Sequence, residues 1–247
     1  DARPDRDPVL LLRAAAAAAQ AGLRLSPYAV ARLASESAPL PEPWPIAARD
    51  SLISLLGAGR AAIPVWEALD QADLISRLIP EWKVVRSAPQ RNPVHRFTVD
   101  RHLVETAVNA SSLTREVSRP DLLLVGALLH DIGKGQAGDH TEVGVRIVSE
   151  LAPRLGFDAQ DSAVLVDMVA YHLLLPDTAT RRDLADPATA AAVAAAVKTP
   201  LVLELLDCLT RADAAATGPA AWSPWKASLV TELVGRTPAA LDGRPEP

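Results

Sequence analysis

Histidine and aspartate stand side by side in the pentad His130-Asp131-Ile132-Gly133-Lys134, which closes the apolar run from Asp121 to Leu129. A charge carried to the end of a buried segment is costly unless it meets a partner there. A divalent metal is one such partner, because it turns a desolvated carboxylate and imidazole into a coordination shell. All five histidines, His95, His102, His130, His140 and His172, lie in one stretch of a 247-residue chain. Asp213 interrupts a second apolar stretch, from Leu209 to Ala216. Each position has a plainer reading when taken alone: a histidine at a helix end is usually a cap or a solvated side chain, and Asp213 could pair with Arg211. Their collective order along the chain is what asks for an explanation.

The elements that would position these groups are helices. Hydrophobic residues make up 49% of the chain and aromatics only 4%, so the core must be built from Leu, Val and Ala, and no run shows the period-2 alternation of a strand. The expected fold is all-α. Helices are predicted from Asp7-Pro8 to about Gly22, from Ser26-Pro27 to Glu36, and over 46–57, 61–70 and 71–79, with a stiff proline connector around Trp44. Residues 80–97 read as an extended loop. Longer helices follow at 98–117, 120–132, 140–153, 158–173, 187–197, 200–216 and 224–235, with a frayed tail after Arg236. Asp139 and Glu142 resemble a capping box that starts a helix at His140. His102 then falls in a first helical turn, His130-Asp131 and His172 at helix ends, and Asp213 late in its helix. Helix ends converging on one side of a bundle would gather them.

Composition also excludes. A net charge of −5 gives no general electrostatic case for nucleic acid or anionic membrane partners. No apolar run has membrane-spanning length, and Arg13 interrupts the only stretch that resembles a signal-peptide core. The single cysteine, Cys208, sits among leucines and reads as a small buried hydrophobe, which fits a cytoplasmic location. Beginning at Asp1 without Met, the chain reads as a piece of a longer protein.

The ordered set His102, His130-Asp131, His140, His172 and Asp213 resembles the HD superfamily of metal-dependent phosphohydrolases. That resemblance implies an HD-domain helical bundle over 81–235, a smaller helical region over 1–80 and a flexible tail over 236–247. It implies a first metal held by His102, His130, Asp131 and Asp213, and a second held by His140 and His172 with Asp131 shared. Mixed imidazole and carboxylate donors suit Mn, Fe, Co, Ni or Zn better than Mg. Lys134 completes the His-Asp-x-x-Lys pattern found in part of the superfamily. A cation there could stabilise charge on a phosphate oxygen or protonate a leaving group, as an acid beside catalytic Asp131; the alternative is a solvated lysine at a helix C-terminus. His95, Arg96, Arg181 and Lys226 are candidate substrate contacts, as are Arg86, Arg91 and Arg101; the arginines have an equally plain surface reading, and His95 could equally be a hydrogen-bond partner behind a metal ligand or a surface residue.

Longer strings narrow the family. The stretches Pro80 to Arg86, Pro89 to His102, Leu128 to Gly135, Gly138 to Glu142, His172 to Asp183 and Thr210 to Lys226 look like the bifunctional PII uridylyltransferase/uridylyl-removing enzymes. The transferase signature and the βαββαβ pattern of ACT domains are not found in this sequence, so the match implies the helical region and the HD domain. The implied activity is release of UMP, or AMP, from a tyrosine of nucleotidylated PII protein, with transferase and ACT domains as neighbours in a full-length chain. Two rival readings remain: another HD phosphohydrolase acting on small nucleotides, and a catalytically idle helical relay.

Overall fold

The computed structural model describes residues 3–90 and 96–242. Among these residues every regular element is helical. The first six helices are α1 (Leu10–Gln20), α2 (Pro27–Glu36), α3 (Ile46–Gly57), α4 (Ala62–Gln71), α5 (Leu74–Leu78) and α6 (Trp82–Val85). Eight more follow: α7 (Val99–Ser111), α8 (Pro120–Leu129), α9 (His140–Arg154), α10 (Ala159–Ala170), α11 (Leu174–Arg181), α12 (Pro187–Val197), α13 (Pro200–Thr217) and α14 (Pro224–Leu241). No single helix among the described residues is long and apolar enough to cross a membrane.

The centre of the bundle is α8. Proline at its first position costs no hydrogen bond there, and every residue from Leu122 to Leu129 is buried. A helix that is apolar on all sides must be surrounded, and α3, α7, α10 and α13 pack around this one. The N-terminal helices join the same core: α3 lies against both α7 and α8, and α4 against α7. One apolar cluster therefore runs from Val9 to Leu233.

The helix starts follow local chemistry. Ser26 accepts from the Ala29 amide, Asp139 from the Thr141 and Glu142 amides, Asp158 from Asp161, and Thr199 from Val202. Some boundaries differ from expectation. The helix carrying His102 ends at Ser111, and residues up to Arg119 turn; α8 stops at Leu129, so His130 and Asp131 occupy the turn that follows. Residues 174–181, which fall between two predicted helices, form α11, and residues 82–85, expected as loop, form α6 around the buried Trp82. The last helix continues to Leu241 because Leu233 and Thr237 bury its inner face.

Arg119 ties two helix starts together. Its guanidinium donates to Asp121 at 3.0 and 2.7 Å on α8 and to Asp161 at 2.6 and 2.7 Å on α10. Burial works to raise Asp121, but these bonds and the Arg119 charge outweigh it and hold the carboxyl below its usual range. Arg119→Ala should lower stability by about 1 kcal/mol, seen as a fall of about 2–4 °C in Tm at neutral pH. Because the folded pKa of Asp121 is depressed, its share is complete above the unfolded value of about 3.9 and is lost as pH falls through the folded one. The gap between wild type and variant should therefore narrow below about pH 4 in urea titrations; a gap that stays constant down to acid would show that Asp121 is not involved.

Candidate metal centre

Five pieces of chain deliver the site. The first turn of α7 carries His102, the turn after α8 carries His130 and Asp131, and the first residue of α9 is His140. His172 sits in the turn between α10 and α11, and Asp213 near the end of α13. Gly133 makes the meeting of the α8 turn and α9 possible. A Cβ built on it would lie 2.1 Å from the His140 carbonyl oxygen and 2.4 Å from the Gly144 nitrogen, closer than any side chain tolerates. Asn109 of α7 donates to the Ala212 carbonyl at 3.1 Å, bracing the His102 helix against the Asp213 helix.

The six side chains converge. His102 Nε2 lies 3.0 Å from Asp213 Oδ1 and 3.8 Å from Asp131 Oδ2; His130 Nε2 lies 3.3 Å from Asp131 Oδ2 and 3.7 Å from Asp213 Oδ1. On the other side of Asp131, its Oδ1 is 3.5 Å from His172 Nε2 and 3.7 Å from His140 Nε2. Two groups with potential ligand atoms within 4.8 Å of one another result, His102-His130-Asp131 and Asp131-His140-His172, sharing one carboxylate. Asp213 borders the first.

The imidazoles are oriented for ligation. Nδ1 of His130 donates to the Ala127 carbonyl at 2.9 Å and Nδ1 of His172 to the Val169 carbonyl at 2.7 Å. A carbonyl can only accept, so the proton sits on Nδ1 and each Nε2 lone pair faces the cluster. His130 Nε2 and Asp131 Oδ1 are buried without a hydrogen-bond partner. Such groups carry a desolvation cost, and a divalent ion in each donor group is the kind of partner that would satisfy them. The residues present thus fit a transition-metal site built from imidazole nitrogen and carboxylate oxygen.

Charge at the centre is held by neighbours. Burial opposes ionisation of Asp131, yet the His130 and His172 rings and the Lys134 ammonium outweigh it and keep the carboxyl well below the usual carboxylate range. Burial likewise opposes the charge on Asp213, and the His102 contact overrides it, holding the group down to about 2. Burial pushes His172 down, toward the neutral form that a metal ligand requires. For His130 burial acts in the same sense, but the adjacent Asp131 carboxylate prevails and raises it. Lys134 Nζ lies 2.5 Å from Asp131 Oδ2 and donates to Gln90 Oε1 at 3.3 Å.

The centre opens into a cavity of about 600 Å³. Asp131, Lys134, His140, His172 and Asp213 line one side, and Val84, Ala88, Pro89, Val99 and Leu173 form an apolar part of the wall. The candidate substrate contacts fare differently. His95 and Arg91 lie outside the described residues. Arg96 is exposed and does not line the cavity; Arg181 is exposed on α11 beside Asp177 at 3.5 Å; Lys226 sits in the first turn of α14 and is not among the lining residues. Arg86 and Arg101 are engaged by carboxylates, Arg86 by Asp70 and Asp73 and Arg101 by Glu105 and Glu67, which removes them as a free anion-receiving patch. Gln90, Val84 and Leu173 were not singled out from sequence as cavity-lining residues. All three fall within strings that carry the family resemblance, the signal that would have pointed to them.

Comparison with known proteins agrees with this geometry. The HD domain family matches residues 99–217. The Streptomyces coelicolor protein named bifunctional uridylyltransferase/uridylyl-removing enzyme is 61% identical over 246 residues, covering 100% of this chain and 30% of that protein. Its namesakes from Mycobacterium tuberculosis and Corynebacterium glutamicum are 49% identical over 248 residues and 40% over 223, covering 100% and 90% of this chain and 31% and 32% of their own lengths. The chain thus spans about a third of the curated relatives it matches. Residues 99–217 thus form an HD domain built around a buried His/Asp metal-site cluster, and the chain is similar over its full length to one segment of the bifunctional uridylyltransferase/uridylyl-removing enzymes.

Proposed function

We propose that this chain is the hydrolytic part of a uridylyl-removing enzyme: it cleaves the phosphodiester between a nucleotide (UMP or AMP) and a tyrosine of PII protein. The observation that supports this most is the pair of ligand groups sharing Asp131, beside an ammonium and open to a cavity large enough for a nucleotide-bearing group. In this reading His102, His130, Asp131 and Asp213 hold one divalent ion, and His140 and His172, with Asp131 shared, hold a second. Residues 1–80 are then the helical region that backs the HD domain, and the full-length enzyme works in the cytoplasm beside its transferase and ACT domains.

Two such ions would supply an activated water at neutral pH and a clamp for the phosphoryl oxygens. The chain's own residues do the rest. The carbonyls of Ala127 and Val169 fix His130 and His172 in the tautomer that presents Nε2. Lys134 stands next to Asp131, where its charge offsets negative charge building on phosphorus-bound oxygen. A phenolate is a comparatively good leaving group, so proton donation to it matters less than charge stabilisation. The apolar wall of Val84, Pro89 and Leu173 keeps part of the cavity dry and suits an aromatic ring.

The test is direct. Protein loaded with Mn should release nucleotide from modified PII and turn over the p-nitrophenyl ester of UMP. Stripping with a chelator should abolish both activities, and adding metal back should restore them. Full activity after exhaustive chelation would end this reading; so would stoichiometric metal without hydrolysis of either substrate, which would favour the idle relay.

A further inference from the structure

Gln90 lies on the cavity wall, outside the residues matched by the HD family, and it touches Lys134, the one lysine or arginine among the described lining residues. Lys134 has only donors to offer, so the amide oxygen of Gln90 must be the atom that faces it. That assignment turns the amide NH2 away from Lys134. The nitrogen is buried and has no hydrogen-bond partner among the described residues. A buried donor left unmade is unfavourable, and native proteins retain such groups where a ligand completes them.

The backbone holds Gln90 close to its place. Just before it, the Val99 amide donates to the Ala88 carbonyl at 2.9 Å, the Ser87 amide to Asp100 Oδ2 at 2.8 Å, and the Ala88 amide to the Val85 carbonyl at 3.0 Å. These bonds fasten the segment 85–88 to the start of α7, the helix that carries His102. The wall just before Gln90 is thereby tied to the helix that carries His102.

We propose that Gln90 orients the substrate's phosphoryl group: its carbonyl holds the Lys134 ammonium, and its free NH2 donates to a non-bridging phosphoryl oxygen of the bound nucleotide. This rests on the phosphodiesterase reading above and names a residue, contributed from outside the stretch matched by the HD family, that completes the site. A carboxylate at this position would keep the contact to Lys134, lose the donor, and repel the phosphoryl oxygens.

The experiment compares wild type, Gln90→Ala and Gln90→Glu, each loaded with Mn. Three quantities are measured: Mn stoichiometry and Tm, calorimetric affinity for UMP, and turnover of the p-nitrophenyl ester of UMP. Mn content and Tm should stay at wild-type values in both variants. UMP affinity should fall about tenfold and kcat/KM by about 10–100-fold, the worth of one hydrogen bond to a charged group. The Glu variant should fail to rescue despite its retained acceptor. Wild-type values of UMP affinity and kcat/KM in either variant overturn the role of Gln90 alone. Loss that tracks a fall in Tm or in bound Mn, or recovery in the Glu variant, also overturns it. Absence of turnover by the wild type overturns this proposal together with the reading it rests on.

Discussion

Asp131→Ala should leave the protein folded, without bound metal, and slower by about 10³-fold or more on an aryl phosphodiester, as expected for a residue acting as part of a unit. The size of the effect follows from position. Asp131 is the single residue present in both groups of converging donors, with Oδ2 facing His102 and His130 and Oδ1 facing His140 and His172. Removing it takes a ligand from each group at once. His140→Ala is the informative partner, because His140 belongs to one group only and is a third exposed. That variant should retain one equivalent of metal and a residue of activity, where Asp131→Ala retains neither. Elemental analysis of the two variants reads this directly, and full metal content in Asp131→Ala would remove the carboxylate from the site.

Gly133→Ala should be among the most damaging single-methyl additions in this chain. The added carbon would meet backbone on every near side, namely the His140 carbonyl oxygen, the Gly144 nitrogen and, at 3.0 Å, the Gly144 Cα. Backbone atoms of a helix cannot swing aside as a side-chain end can, so α9 must shift as a body. Overpacking of this kind costs about 1–3 kcal/mol, or a Tm lower by about 2–12 °C. The same shift carries His140 away from Asp131. A drop in metal stoichiometry larger than that in Arg119→Ala, whose bonds lie at the starts of α8 and α10, at matched loss of stability, would separate displacement of His140 from general loosening. Gly126 offers the contrast. A Cβ there would meet the Met168 methyl at 2.3 Å, a flexible side-chain end that can give way, so Gly126→Ala should be milder.

The helical character and most helix starts were legible because caps and prolines are local: Ser26-Pro27, Asp139 and Thr199-Pro200 each announce a helix in a few adjacent residues. Helix ends were harder to read. The run after His172 is apolar through Leu175 and then reaches Pro176, which reads as the end of one helix, whereas the chain turns at His172 and starts α11. The four-residue α6 is too short to show a period. The arginines near His102 were ambiguous for a different reason. Asp70 and Glu67, which engage Arg86 and Arg101, lie 16 and 34 residues away in sequence, and only the fold brings them together. Gln90 is the extreme case: a lone glutamine has no spacing to betray it, only its place in a string shared with the family, and its contact with Lys134 appears only in the fold.

The two donor groups differ in how they meet solvent. His102, His130 and Asp131 are all buried, while His140 opens the second group to the cavity. Ligand exchange at an ion must proceed through water or a competing donor arriving from outside, so ions held by the two groups would exchange at different rates. The inner group would retain its ion through purification and dialysis, and the outer one would trade with whatever divalent metal the buffer contains. The metal found in an isolated sample would then record the history of the outer position and the cellular supply of the inner one, and the two need not be the same element.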